Sequence, residues 1–233
     1  MTNNKMIIAE EIPDYIKDLK RGNENVSVED LVYPLVLQAQ GNTDVLNPKK
    51  ERYIDGLKTG EFYNTITNEI YGESMDICFV TLEKFFIVRP YDKNKNDYYG
   101  SFMTKEEAEA RIAELDNEGV KDLTIKKSIN HYGYHIKDTG EFSKICIPLR
   151  NTKLNAHKQL NTIISLTGRD RFASVIRMSS IVDVNKEGQE YYTIKFSAIG
   201  YPSKELYTAA EKMYEETKSN QLKTIGEEST EEY

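Results

Sequence analysis

Tryptophan is absent from this chain of 233 residues, and cysteine (two residues) and histidine (three) are scarce. Each shortage excludes something. Cys78 and Cys146 lie in apolar, strand-like segments without CxxC spacing, so neither a disulfide framework nor a zinc knuckle is indicated, and a reducing compartment fits. The longest apolar runs, Ile77 to Leu82 and Phe85 to Val88, fall far short of the roughly 20 residues a membrane helix needs. Met1 to Glu11 carries Asn, Lys and acids where a secretory signal would need a basic flank and a long apolar stretch, so no export is expected.

Enzyme signatures are missing too. There is no GxSxG, Walker A, GxGxxG or HExxH pattern, and neither cysteine has a histidine beside it in sequence. His131 and His135 are four apart in a segment that Tyr132, Gly133 and Tyr134 mark as strand, which puts their imidazoles about 13 Å apart, too far to share a metal. His157 stands alone on a helical segment and reads as a surface residue. Glu106, Glu107 and Glu109 read as the solvated side of a capped helix. No catalytic residue, metal or cofactor is assigned, and the chain is read as a non-enzyme.

The pattern along the chain is mostly strand. Residues 1–25 read as a flexible arm, 26–218 as one folded domain, and 219–233 as a disordered acidic tail. Leu31 to Ala39 suggests an edge strand because Pro34 lacks a donor N–H. Lys58 to Gly72 has hairpin grammar, and Met75 onward reads as a central strand covered on both faces, with Phe85 to Val88 starting its partner. Thr104 with Glu107 forms a capping box at the head of a helix that Gly119 ends. Leu123 to Lys127, Ile129 to Ile136 and Phe142 to Leu149 read as strands, the first two separated at Ser128. Leu154 to Thr167 reads as a helix, Ala173 to Val184 pairs with Tyr191 to Ile199, and Ser203 caps a last helix. The fold class this predicts is α+β, mainly β: an OB-like small barrel or half-barrel with two or three added helices.

The formal charge of −7 is uneven. Residues 120–177 hold eleven cations against four acids, a local +7, and the rest of the chain sums to −14. Aromatic residues mixed with cations on strands are what single-stranded nucleic-acid binders use, since every base has a π face and every linkage a charge. The candidate DNA-binding residues are Tyr98, Tyr99, Lys126, Lys127, Tyr132, Tyr134, Arg150, Lys153, Lys158, Arg169, Arg171, Tyr191 and Lys195. Tyr98 and Tyr99, beside Gly100 in a polar loop, have the least core rationale, and on the last strand Tyr191 and Lys195 oppose the apolar face of Tyr192, Ile194, Phe196 and Ala198. Half-buried tyrosines and ordinary solvated lysines are the competing reading. In the tail, Glu227, Glu228, Glu231, Glu232 and Tyr233 form a tethered polyanion with a terminal aromatic, suited to competing for a basic groove, to docking on a partner, or simply to solubility.

The segments GEFYNTITNEIYG (Gly60 to Gly72) and IPLRNTKLNAHKQLN (Ile147 to Asn161) resemble a family of bacteriophage proteins found among replication genes, over roughly Val32 to Ser219. The family resembled is that of phage single-stranded DNA-binding proteins. The resemblance implies an OB-fold barrel and an acidic tail, of the kind seen in Glu227 to Tyr233, that recruits phage replication proteins and is displaced when DNA fills the groove. The chain departs from that pattern in having no tryptophan and a short tail. The expected function is therefore a non-catalytic protein coating single-stranded DNA in phage replication or recombination, in the cytoplasm of the infected bacterial host, with no membrane partner. The alternative is a phage structural or assembly protein that forms homo-oligomers through its sheet edges and does not bind DNA.

Overall fold

The computed structural model describes residues 33–41, 43–92, 97–184 and 188–219. The expected arm (1–25), the start of the first expected strand, the tail with Glu227, Glu228, Glu231, Glu232 and Tyr233, and the turn at 185–187 lie outside the described residues.

Among the described residues, nine strands and three α-helices follow in the order β1 (Val36–Gln38), β2 (Phe62–Asn64), β3 (Ile70–Gly72), β4 (Ser74–Pro90), β5 (Ser101–Phe102), α1 (Lys105–Asn117), β6 (Leu123–Ile136), β7 (Phe142–Arg150), α2 (Leu154–Leu166), β8 (Val175–Val184), β9 (Glu190–Gly200) and α3 (Lys204–Ser219). The fold is mainly β, and its strand pairs are antiparallel throughout these two sheets. A small sheet runs β1-β2-β3, and a six-stranded sheet runs β7-β6-β4-β8-β9 with β5 paired to the far end of β4. The expected barrel does not close: the larger sheet has β7 and β9 as outer strands. Among the described residues, no helix is long and apolar enough to cross a membrane.

β4 is one uninterrupted strand of 17 residues. Sequence reading split it near Glu83 and Lys84, yet that stretch carries no Gly, Pro, Asn or Asp to turn on, so the chain runs straight through. The same holds at Ser128, which sits inside β6 and accepts a hydrogen bond from Arg150 Nε at 2.9 Å instead of breaking the strand. β4 and β6 pair from Asp76–Ile136 to Pro90–Leu123, making a long ribbon at the centre of the sheet. Gly133 makes that pairing possible at its tightest point. A Cβ there would lie 2.3 Å from the Cys78 carbonyl oxygen, beside the register shift between Phe79 and Thr81.

Each face of the sheet has its own core. On one face, Ile77, Phe79, Ile145, Ile147, Ile176 and Phe196 meet Ala156, Leu160 and Ile164 of α2 and Phe62 of the small sheet. On the other, Cys78, Tyr132, Tyr134 and Cys146 lie beneath Leu206, Ala210 and Met213 of α3. α1 covers the far end of the ribbon, where Ala108 and Leu115 pack on Phe86, Val88, Leu123 and Ile125. The Thr104 capping box starts it as the sequence predicts: Thr104 Oγ1 accepts from Glu107 N at 3.2 Å and Glu107 Oε2 from Thr104 N at 3.1 Å.

Both outer strands are engaged at particular points. Cys146 N of β7 donates to Pro34 O at 2.8 Å. Along β9, Gln40 caps both backbone groups of Tyr192: its Nε2 donates to Tyr192 O at 3.1 Å and its Oε1 accepts from Tyr192 N at 3.3 Å. Gln38 Nε2 reaches Thr193 O at 3.2 Å, and Gln159 Oε1 accepts from Phe196 N at 3.4 Å. Glutamine side chains thus occupy groups that an incoming strand would need.

Candidate anion-binding site at helix α2

Cross-strand partners share a face, so the register fixes what stands beside what. Leu82 pairs His131, Lys84 pairs Ile129 and Phe86 pairs Lys127. Alternate residues keep to one side, so His131, Lys84 and Lys127 stand on the face that carries α1 at one end of the ribbon and α2 at the other. Lys84 and Lys127 are exposed, whereas His131 is fully buried.

α2 contributes His157 and Asn161, one helical turn apart. His157 is not the solitary surface residue the sequence suggests: its Nδ1 lies 2.9 Å from His131 Nε2. Arg171, in the loop after α2, closes the cluster, with Nη1 donating to Asn161 Oδ1 at 2.9 Å and Nη2 lying 2.9 Å from His131 Nδ1. Arg171 Nε is buried and without a hydrogen-bond partner.

The electrostatics of this cluster are one-sided. Burial, then the charge of Arg171 and the ring of His157, hold His131 well below the ordinary histidine range. His157 is lowered by burial and then by Arg171, Lys127, Lys84 and Lys158. Burial pulls Arg171 down to about 10, which leaves it charged at neutral pH. No carboxylate of the described residues is among the groups acting on these three side chains. A concentration of cations without its own counter-charge attracts anions.

The thirteen candidate residues divide. Lys127, Lys158 and Arg171 meet at this site. Lys126, opposite Ile87, is on the other face of the ribbon from Lys127. Arg150 is on the α3-facing side with Ser128, and Lys153, half-buried, is pulled down to about 8 by burial and by the Arg150 charge. Arg169 lies over the Tyr201 ring at 5.3 Å.

Tyr132 and Tyr134 are corrected as stacking residues. Both are buried under α3, Tyr132 donating to Glu83 Oε2 at 2.9 Å and Tyr134 to Ala209 O at 3.3 Å, so neither ring offers a face to a base. Tyr98 is half-buried and donates to Ser101 Oγ at 2.9 Å, with Arg89 6.0 Å above its ring; Tyr99 packs into the α1 core. On β9, Ile194 and Phe196 are buried as expected, and Tyr191 and Lys195 are on the opposite side. There Tyr191 donates to Asp183 Oδ2 at 3.0 Å, and neighbouring Arg177 forms a bidentate pair with Asp76 at 2.7 and 2.8 Å. Carboxylates offset the charge of that face, unlike the α2 site.

Sequence reasoning missed Lys84, His131, His157 and Asn161. A signal was present for two of them: His157, Leu160, Asn161 and Ile164 repeat at three and four, so both polar residues continue the buried stripe of α2.

A mainly antiparallel β protein with helices on both faces of its central sheet and an uncompensated cationic cluster is thus defined. The chain belongs to the family of Pam3 phage gp34-like proteins, whose model it matches over residues 2–223. No curated protein and no solved structure matches it.

Proposed function

We propose that the protein is a non-catalytic binder of single-stranded DNA acting in phage replication or recombination, and that the cationic cluster at α2 holds the phosphate backbone. The observation that carries this reading is the gathering of Lys84, Lys127, Lys158 and Arg171 around His157 with no carboxylate acting there. Backbone phosphates are the polyanion such a surface fits. The acidic tail would recruit replication proteins, and the phage family is compatible with a role in the infected cell's cytoplasm.

The test is fluorescence anisotropy of labelled oligo(dT) and of its duplex, at low and moderate salt, with the full chain and with a chain ending before residue 219. Single-strand binding that weakens with salt is expected. Absence of binding in both chains at low salt refutes the reading.

An assembly role is the second reading. It is favoured by exposed apolar side chains at the ends of β8 and β9, namely Ile181, Val182, Val184, Ile199 and Tyr201. Stable homo-oligomers indifferent to DNA, seen by light scattering, would support it. Strand addition is hindered at Tyr192 and Thr193 of β9, where glutamine side chains hold the backbone groups.

A further inference from the structure

The donors of one arginine determine the protonation of the whole cluster. Guanidinium has only N–H groups and nothing to accept with. Asn161 must therefore turn its oxygen to Arg171 Nη1, and His131 must present a bare Nδ1 to Arg171 Nη2. A neutral imidazole carries one proton, so that of His131 is on Nε2 and points at His157 Nδ1, 2.9 Å away. His157 Nδ1 is then an acceptor, which the Asn161 amide nitrogen also reaches at 3.3 Å. The proton of His157 is left on Nε2. It meets Asn161 Nδ2 again, at 3.1 Å, a donor like itself. Thus a half-buried N–H ends the chain Arg171–His131–His157 with no acceptor among the described residues, in a field set by four cations.

We infer that His157 is the residue that recognises a phosphate group at this site: its Nε2–H donates to a phosphate oxygen, while Lys84, Lys127 and Lys158 supply the neutralising charge. This rests on the anion-binding reading above and deepens it by naming the recognition group. His131 acts as a positioning residue, since it holds the His157 proton on Nε2 without touching the ligand. The neutral form of His157 is the one that binds. Its Nδ1 already accepts the His131 Nε2–H, and Arg171 keeps that proton from moving to His131 Nδ1, so a second proton on His157 would meet a donor. Burial and the neighbours Arg171, Lys127, Lys84 and Lys158 disfavour the imidazolium as well.

The experiment is long-range proton–nitrogen NMR of the full chain labelled at histidine, titrated with inorganic phosphate at constant pH against chloride at equal ionic strength. It is paired with oligo(dT) anisotropy at pH about 7.5 for wild type and His157→Phe. We expect His157 as the Nε2–H tautomer, with its resonances moved by phosphate and not by chloride. The wild type should bind oligo(dT) several-fold more tightly than His157→Phe, the size of effect that a hydrogen bond to a charged group carries. An Nδ1–H tautomer, or no response to phosphate beyond that to chloride, overturns the inference, and the wild-type titration does not depend on the variant folding. Oligo(dT) binding equal in wild type and His157→Phe leaves single-strand binding standing and removes His157 from it. A phosphate response without oligo(dT) binding does the reverse: the seat stands, and its phosphate comes from a different molecule.

Discussion

Replacing Lys84, Lys127 and Lys158 together by glutamine should flatten the salt dependence of single-strand binding by a calculable amount. Each phosphate neutralised on a single strand releases counterions worth a slope of about −0.7 in log K against log salt, so three lysines contribute about −2. Over the fourfold range from about 50 to about 200 mM salt, that slope is roughly a twentyfold loss of affinity that the wild type suffers and the variant does not. The three side chains are exposed, and none is in an ion pair of the described residues, so stability should change by no more than about 0.5 kcal/mol. Anisotropy of labelled oligo(dT) at three salt concentrations gives both slopes, with Lys105→Gln as a control because that lysine pairs with Glu109 on α1. A triple variant that binds oligo(dT) with the wild-type slope would refute the assignment of phosphate contacts to the α2 site. The track would then have to be sought among Lys126, Arg169 and Lys195.

Two further outcomes test the fold beneath the site. Gln40→Ala removes both hydrogen bonds that cap Tyr192, at about 1 kcal/mol each, and uncovers part of the β9 edge; a lower urea midpoint and concentration-dependent association by light scattering are expected, and a monodisperse variant of unchanged stability would refute the capping role. His131 is fully buried and its folded-state pKa is depressed, so below the unfolded value of about 6.5 the unfolded chain binds a proton that the folded one does not. Its contribution is intact above pH about 6.5 and falls below it, by about 1.4 kcal/mol at pH about 5.5 if the folded pKa lies well under that; urea unfolding at the two pH values measures the loss, and His131→Gln, which can still accept from Arg171, should reduce it.

What the sequence made legible is what short-range chemistry decides. The capping box at Thr104, the hairpin around Asn68 and the burial of Ile194 and Phe196 follow from spacing within one element. The joins were harder. A strand of 17 residues exceeds the usual strand length, so reading β4 as two strands followed ordinary expectation, and only its pairing with β6 along almost the whole length shows why it continues. Closure into a barrel was not legible either, because whether two outer strands meet depends on what caps them, here Gln38, Gln40 and Gln159 from distant segments. Tyr132 and Tyr134 were placed on the correct face relative to the histidines, but the sequence of β6 does not say that α3, some 70 residues later, lies across it.

The same cover limits where function can reside. α2 and the small sheet occupy one face of the central sheet, α3 occupies the other, α1 closes the end of the ribbon, and the outer strands are capped. On the ribbon this leaves the stretch between α1 and α2 where Lys84 and Lys127 emerge, with Lys158 beside it on the helix. Half-burying Arg171 next to it without a carboxylate carries a desolvation cost that its hydrogen bonds to Asn161 and His131 offset only in part. Two neutral partners, His131 and Asn161, hold the guanidinium in place but leave its charge uncompensated. A stabilising core would have used an apolar side chain there, or an acid; an uncompensated charge that orders its neighbours' protons accords with the proposed anion site.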